Sequence, residues 1–418
     1  MTGNGNTLTD RFVRLLDGIR QEEIPPRVIR QADLCLEDYR SLVAPGASLL
    51  GGKGLLFVRE AAARGGNSRP EGYDVPMSVQ DAAFVNAMCV HATELDDGHR
   101  KGMIHLGASI LSALLAADRV EHFEKESLLR GIVAGYEAAI RLAMAMQPSH
   151  KLRGFHTSGT CGTVGAAVAL AVALRLPLEQ LKTAVSCACA GASGLLEMQE
   201  DGSELKPYNV AQAAVGGVQA AYTARAGFLG PADAVGGKRG VLAVLSDSAT
   251  PDLLTGALPY EYQIEGIYRK PYAACRHCHP AVEAVLRLRS SQGIRPSQVE
   301  KIIVETYRLA IAGHDHKQVP NLSSAKLSIP FSVALALVTG KAGLSAFCEE
   351  NLHSAGILDL TDKVQVVENE ELSALSPEKR AAQVRVVLKG GSVFTCRVDD
   401  ARGEPENPMD ETDFKNRM

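Results

Sequence analysis

The period of the apolar pattern changes once along the chain, near residue 266, and that change narrows the folds open to it. Before it, residues 127–146 (SLLRGIVAGYEAAIRLAMAM), 163–175 and 211–226 are alanine-rich, of helix length and poor in β-branched runs, which predicts an all-helical unit. Small residues recur through these segments and let helix axes approach, so a tight bundle is expected rather than one built around aromatics. Beyond the change, residues 299–307, 363–367 and 383–388 are short and β-branched, and the last is followed by Gly390-Gly391 and residues 393–398, a hairpin signature. Residues 281–289 and 328–337 read as helices between them. The expected fold is mainly α, with a large helical domain over residues 1–266 and a smaller α+β domain over 267–399. The turn-rich tail, 400–418, is expected to pack back on the larger domain or to lie on the surface.

Composition excludes several function classes. With 418 residues and 46% hydrophobic content the chain can fill two cores. A net charge of −4 with both signs interspersed gives no basic face for phosphates, so nucleic acid is not an expected partner. The N-terminus (MTGNGNTLTDRFVRLL) has no basic stretch leading into an apolar one, and the long apolar runs are broken by polar residues; neither a signal peptide nor a membrane span is read. Nine cysteines without regular spacing suit reduced thiols and a cytoplasmic setting, most of them, such as Cys187 and Cys189, as small buried hydrophobes.

Four constellations carry candidate chemistry. In the first, Glu94, Asp96, Asp97, His99 and His105 put three carboxylates and two imidazoles within twelve residues. Such a set is too costly to bury unpaired and suits a general acid or base; the competing reading is a solvated loop with an acidic helix cap. In the second, Gly154 to Thr160 (GFHTSGT) opens a helix expected to begin near Gly162, so His156, Thr157 and Ser158 could receive a carboxylate at a helix start. The glycines there follow no strand and are spaced GxxGxxG, against a dinucleotide site. The third is Lys206-Pro207 before a small-residue helix, where a lysine could meet a substrate carboxylate as a point charge or simply lie on the surface.

The fourth, residues 269–280 (RKPYAACRHCHP), is the densest. Cys275 to His279 spells C-x-x-C-H, but haem attachment requires export and no export signal is read. No second Cys/His pair at ligand spacing completes a zinc site, so no metal is expected. What remains is a basic, imidazole-rich segment at the domain border, with Lys270 and Arg276 as carboxylate partners and Cys275 and His277 beside them.

Taken in order, the DD-x-H…H segment, the GFH-x-[ST]-G-T helix start, the K-P pair and the K-x-Y-x-x-C-R-x-x-H segment resemble the MmgE/PrpD family. Gly135-Tyr136-Glu137 with Arg141, Ala226-Gly227-Phe228 to Gly230-Pro231, and the ending Arg402-Gly-Glu-Pro-Glu-Asn-Pro408-Met409 extend the resemblance from about residue 8 to the C-terminus. It implies a large all-helical domain with a smaller α+β lid, a homodimer, no required cofactor and an active site between the domains. Carried over by position, it implies Glu94 or Asp96 as the active-site acid, His105 and His156 as the histidines, and Lys206 and Lys270 as the lysines.

Members of that family dehydrate 2-methylcitrate, decarboxylate cis-aconitate or epimerise iminodisuccinate. All three reactions pass through carbanion-like character beside a carboxylate. The resemblance thus implies a small di- or tricarboxylate substrate, with His105 and His156 moving protons, a carboxylate of the first segment orienting an imidazole, and Tyr136 as a reserve proton donor. Cys275 stands where decarboxylases place a histidine, Phe331 where they place a tyrosine, and Gly98 where threonine is frequent. Dehydration is therefore the first expectation, epimerisation or decarboxylation the alternatives, and a catalytically inactive dimeric small-acid-binding protein the alternative of another class.

Overall fold

The computed structural model describes residues 6–256 and 261–418. The chain forms two compact units, one of Met1–Met198 with Leu205–Ile267, the other of Gln199–Glu204 with Tyr268–Met418.

The larger unit is helical: α1 (Leu8–Gln21), α2 (Pro26–Ala63), α3 (Val79–Ala92), α4 (Gly107–Glu121), α5 (Lys125–Met146), α6 (Thr157–Ala173), α7 (Leu178–Gly191) and α8 (Lys206–Arg225) are its principal elements. All residues of α6 are buried, as befits a helix that is apolar all round, and it packs against α5 and α8. Small residues set that packing. A Cβ built at Gly165 would stand 2.8 Å from the Gly135 carbonyl oxygen, and one at Gly217 would stand 2.3 Å from the Ala166 Cβ. The backbones therefore meet where side chains would ordinarily separate them.

The start of α6 corrects one expectation. It lies at Thr157, not near Gly162, with His156 as N-cap. The threonines and glycines of its first two turns are poor helix formers, but complete burial against neighbours overrides that weak preference. Helix α2 is long and apolar enough to cross a membrane by length and composition, with 22% of its apolar window buried. It contains Pro45 and is interrupted at Gly51 (φ 48°, ψ −131°). Cys187 and Cys189 on α7 are half-buried rather than buried.

The smaller unit is built on a mixed sheet. Strands β1 (Val299–Thr306), β2 (Val364–Glu368), β3 (Ala382–Leu388) and β4 (Val393–Val398) lie in the order β2-β1-β3-β4. The β1–β2 pair is parallel, and the other two are antiparallel. A bulge between Val299 and Lys301 shifts the alternation, so that Val299, Ile302, Val304 and Thr306 are the buried residues of β1. Helix α9 (His279–Gln292) packs on β3, β4 and α10 (Ile329–Thr339). The tail after residue 400 belongs to this unit, against the expectation that it packs on the helical one. The Arg402 N–H donates to Glu283 Oε2 at 2.6 Å, and the Leu344 N–H to the Arg417 carbonyl at 2.7 Å. Composition marked the tail as turn-rich but said nothing of its buried anchors, Glu404 and Arg417.

Candidate active site

In the larger unit the chemistry gathers at helix ends. The Thr93 hydroxyl donates to the Val90 carbonyl at 2.7 Å and accepts the Leu95 N–H at 3.1 Å. This ends α3 in a sharp turn that holds Glu94 at φ 56°, a conformation costly for a non-glycine residue and often found at functional positions. The turn delivers the Glu94 carboxylate to Lys206 Nζ, and both side chains are buried. Lys206 opens α8, so the expected loop lysine is a buried, ion-paired one. His99 shapes the connection: its Nδ1 accepts the Gly102 N–H at 3.1 Å, and its backbone bridges to Ile104.

The two aspartates separate into different roles. Asp96 Oδ2 lies 2.7 Å from His91 Nδ1 and 3.7 Å from His105 Nδ1. It thus faces two imidazoles at once, and the His91 ring lies 5.3 Å from that of His105 and 6.2 Å from that of His156. His91, at the end of α3, escaped the sequence reading although it stands three residues before Glu94. Asp97 turns inward, where Oδ1 accepts the Gly107 N–H at 2.8 Å and Oδ2 accepts the Tyr136 hydroxyl at 2.7 Å. Burial, with Asp38 adding repulsion, pushes its pKa up to about 6.

The two expected histidines carry opposite tautomers when neutral. His105 Nδ1 donates to the Asp97 carbonyl oxygen at 2.9 Å, which leaves the lone pair of the neutral ring on Nε2. His156 Nδ1 accepts from the Asn209 amide at 3.2 Å, which puts the ring proton on Nε2. Asn209 is itself fixed by donating to the Leu195 carbonyl at 2.9 Å. Burial holds His156 well below its ordinary pKa of 6.5, and His91 and Lys206 push in the same direction. The ring is therefore neutral at neutral pH. Asn209 was also missed; it is the polar residue that breaks the apolar start of α8, three positions after Lys206.

Three expected contributors are turned to other uses in this unit. Tyr136 is completely buried with its proton committed to Asp97, so it is a tie beneath the site rather than a reserve donor. Thr157 Oγ1 accepts from the Gln147 amide at 2.8 Å, and Ser158 Oγ accepts the His105 N–H at 3.0 Å. Their oxygens position the helix start and His105, while each hydroxyl keeps its own proton to donate.

In the smaller unit, Arg276 is likewise corrected. Its guanidinium donates to Glu404 at 3.0 Å, to the Arg402 and Ala401 carbonyls at 3.1 and 3.2 Å and to His279 Nδ1 at 2.9 Å. It is buried and clamps the C-terminal tail, which the sequence could not distinguish from a substrate cation. Lys270 is completely buried. Cys275 Sγ stands 3.0 Å from His314 Nε2, while His277 Nδ1 lies 2.5 Å from the Tyr307 hydroxyl. Burial raises the Tyr307 hydroxyl well above its usual pKa, so it stays protonated. Cys275, His277 and His314 could together hold a metal ion. His314, 39 residues beyond Cys275, supplies the member that short-range spacing did not reveal.

Residues 10–254 match the MmgE/PrpD N-terminal domain, and residues 272–417 match the MmgE/PrpD C-terminal domain. The chain belongs to the MmgE/PrpD family. It is accordingly an enzyme of a family of lyases and isomerases. Among MmgE/PrpD relatives, it is 26% identical over 96% of its length to cis-aconitate decarboxylase of Aspergillus terreus, covering 86% of that protein. A cis-aconitate decarboxylase-like protein of Aspergillus oryzae is 27% identical over 88% of this chain and 81% of its own length. The human cis-aconitate decarboxylase is 23% identical over 99% of this chain and 87% of its own.

Proposed function

We propose that this enzyme removes a proton beside a carboxylate of a small di- or tricarboxylate and expels water from the adjacent carbon, as a 2-methylcitrate dehydratase does. The opposite tautomers of His105 and His156 carry the reading. β-Elimination needs a base and an acid together. The Nε2 lone pair of His105 takes the α-proton to give the imidazolium, the C–H pair becomes the new double bond as the C–O bond breaks, and His156 Nε2–H hydrogen-bonds the departing hydroxide, which takes its proton from solvent and leaves as water. The His105 imidazolium then releases its Nε2 proton to solvent, which balances the proton taken up by the hydroxide.

Charge placement supports the same step. Lys206, buried beside Glu94, provides the cation against which negative charge grows on the substrate carboxylate. Asp96 faces the Nδ1 side of His105 and favours the imidazolium that forms when the ring accepts a proton. One placed acid or base contributes about 100- to 10,000-fold, so loss of either histidine is measurable. A homodimer forms part of the proposal and is checked by light scattering.

The names of the relatives favour a second reading, decarboxylation of cis-aconitate, in which His156 Nε2–H hydrogen-bonds the negative charge left by CO₂ while a proton from solvent completes the product. Proton NMR in D₂O over citrate-, methylcitrate-, aconitate- and substituted succinate-like acids separates the readings. Loss of water supports the dehydratase, loss of CO₂ the decarboxylase, and deuterium gain alone an epimerase. Tight binding without turnover across the panel supports the small-acid-binding alternative. Near wild-type turnover in both His105→Ala and His156→Ala refutes the acid–base assignment.

A further inference from the structure

We propose that Cys275, His277 and His314 of the smaller unit form a binding site for a borderline divalent metal, zinc above others, with one coordination position left for an outside ligand. The inference goes beyond the proton-transfer chemistry assigned to His105 and His156, which does not depend on it.

Geometry is the first support. The candidate ligand atoms of the three residues lie within 4.8 Å of one another, and Cys275 Sγ is 3.0 Å from His314 Nε2. A tetrahedral zinc with ordinary bond lengths separates a sulfur and a nitrogen ligand by about 3.6 Å and two nitrogens by about 3.3 Å. The observed separations bracket those spacings. Local structure holds the donors in place. Cys275 N–H donates to the Lys326 carbonyl at 2.8 Å, and the His314 carbonyl accepts the Ile329 N–H at 2.8 Å, tying both residues to the segment that leads into α10.

The surroundings of the imidazoles are the second, independent support. Metal-bound histidines are normally oriented by a hydrogen bond at the other ring nitrogen. His277 has one when its Nδ1–H donates to the buried Tyr307 hydroxyl oxygen, 2.5 Å away, and that tautomer leaves the Nε2 lone pair for a metal. His314 presents Nε2 towards the Cys275 sulfur. The His277 and His314 rings meet edge to face, with centroids 5.0 Å apart.

Donor chemistry narrows the ion. One thiolate and two imidazoles suit zinc, or cobalt in its place, and are poor ligands for magnesium or calcium. Three protein ligands are the number typical of a site that keeps a water or substrate oxygen in its fourth position.

The test uses the full-length protein after chelator treatment, titrated with Zn²⁺ against a chromogenic competitor and, separately, with Co²⁺. One equivalent of zinc should bind, and Co²⁺ should give intense tetrahedral d–d bands with a thiolate charge-transfer band. Cys275→Ser should abolish the charge-transfer band. His314→Ala, with folding checked by circular dichroism, should weaken zinc by roughly 100-fold or more, and Tyr307→Phe by about 10- to 100-fold while keeping the band. Binding below a tenth of an equivalent to the wild-type protein overturns the proposal. So does an unchanged cobalt spectrum in Cys275→Ser, which would place the metal on other thiols.

Discussion

If the amide of Asn209 sets the tautomer of His156, replacing it by leucine or by aspartate should damage catalysis to very different extents. In Asn209→Leu the directing hydrogen bond disappears, and the ring is free to choose between tautomers. Such a bond is worth about 0.5–1.5 kcal/mol net, so the tautomer ratio, and with it the turnover rate, shifts by roughly 2- to 13-fold. In Asn209→Asp the donor becomes an acceptor 3.2 Å from Nδ1, which draws the ring proton to Nδ1 and strips Nε2 of the proton that the leaving group requires. The loss should approach the full contribution of a donor to developing negative charge, about 100- to 1,000-fold. The new carboxylate also favours the imidazolium and opposes the burial that now lowers the His156 pKa. Part of the lost rate should therefore return as pH falls. Steady-state kcat and kcat/KM of wild type, Asn209→Leu and Asn209→Asp against pH on the substrate found by NMR decide the matter. Equal losses in the two variants, or an aspartate variant with wild-type turnover and pH profile, would refute the tautomer argument.

Three further outcomes follow from the same geometry. Tyr136→Phe should leave kcat/KM within about threefold of wild type but destabilise the fold by about 1–3 kcal/mol, because a buried Asp97 oxygen loses its donor; thermal unfolding and kinetics on one preparation check both halves. Arg276→Ala should cost about 3–5 kcal/mol by leaving Glu404 buried without its guanidinium, seen as early proteolysis of the smaller unit. Asp97, with a pKa raised to about 6 from 3.8, holds a proton in the folded state that the unfolded chain has released. Its contribution is present below about pH 3.8 and is lost as pH rises through 6, a change of about 3 kcal/mol. In Asp97→Asn the total change of stability between about pH 3 and 7 should shift by about that amount, measured by urea unfolding.

Much of the helical unit could be read from periodicity, because a buried helix of alanine and glycine has no other plausible fate. The β3–β4 hairpin could be read because Gly390-Gly391 interrupts two β-branched runs. The site was visible only where residues cluster in sequence. Glu94, Asp96, His105, His156 and Lys206 stood in short polar segments against apolar ones, whereas His91 and Asn209 are single polar residues inside helices and look like solvated positions. Burial reversed several assignments. Arg276 and Tyr136 have the chemistry of ligands, yet one clamps the tail and the other supports Asp97, and only tertiary contacts distinguish these uses. The metal-ligand set failed the spacing test because His314 arrives through the fold, from the loop after β1.

The close backbone contacts of α5, α6 and α8 bear on how such a protein can change its chemistry. At Gly165 and Gly217 there is no space for even a methyl group, so the middle of the bundle tolerates almost no variation in volume. The groups that face chemistry all lie within a turn of a helix end or in a connection: His91, the 94–105 segment, His156, Lys206 and Asn209. A new substrate can thus be accommodated by exchanging residues at the rim while the packed centre stays as it is. Frame and reactivity are inherited separately.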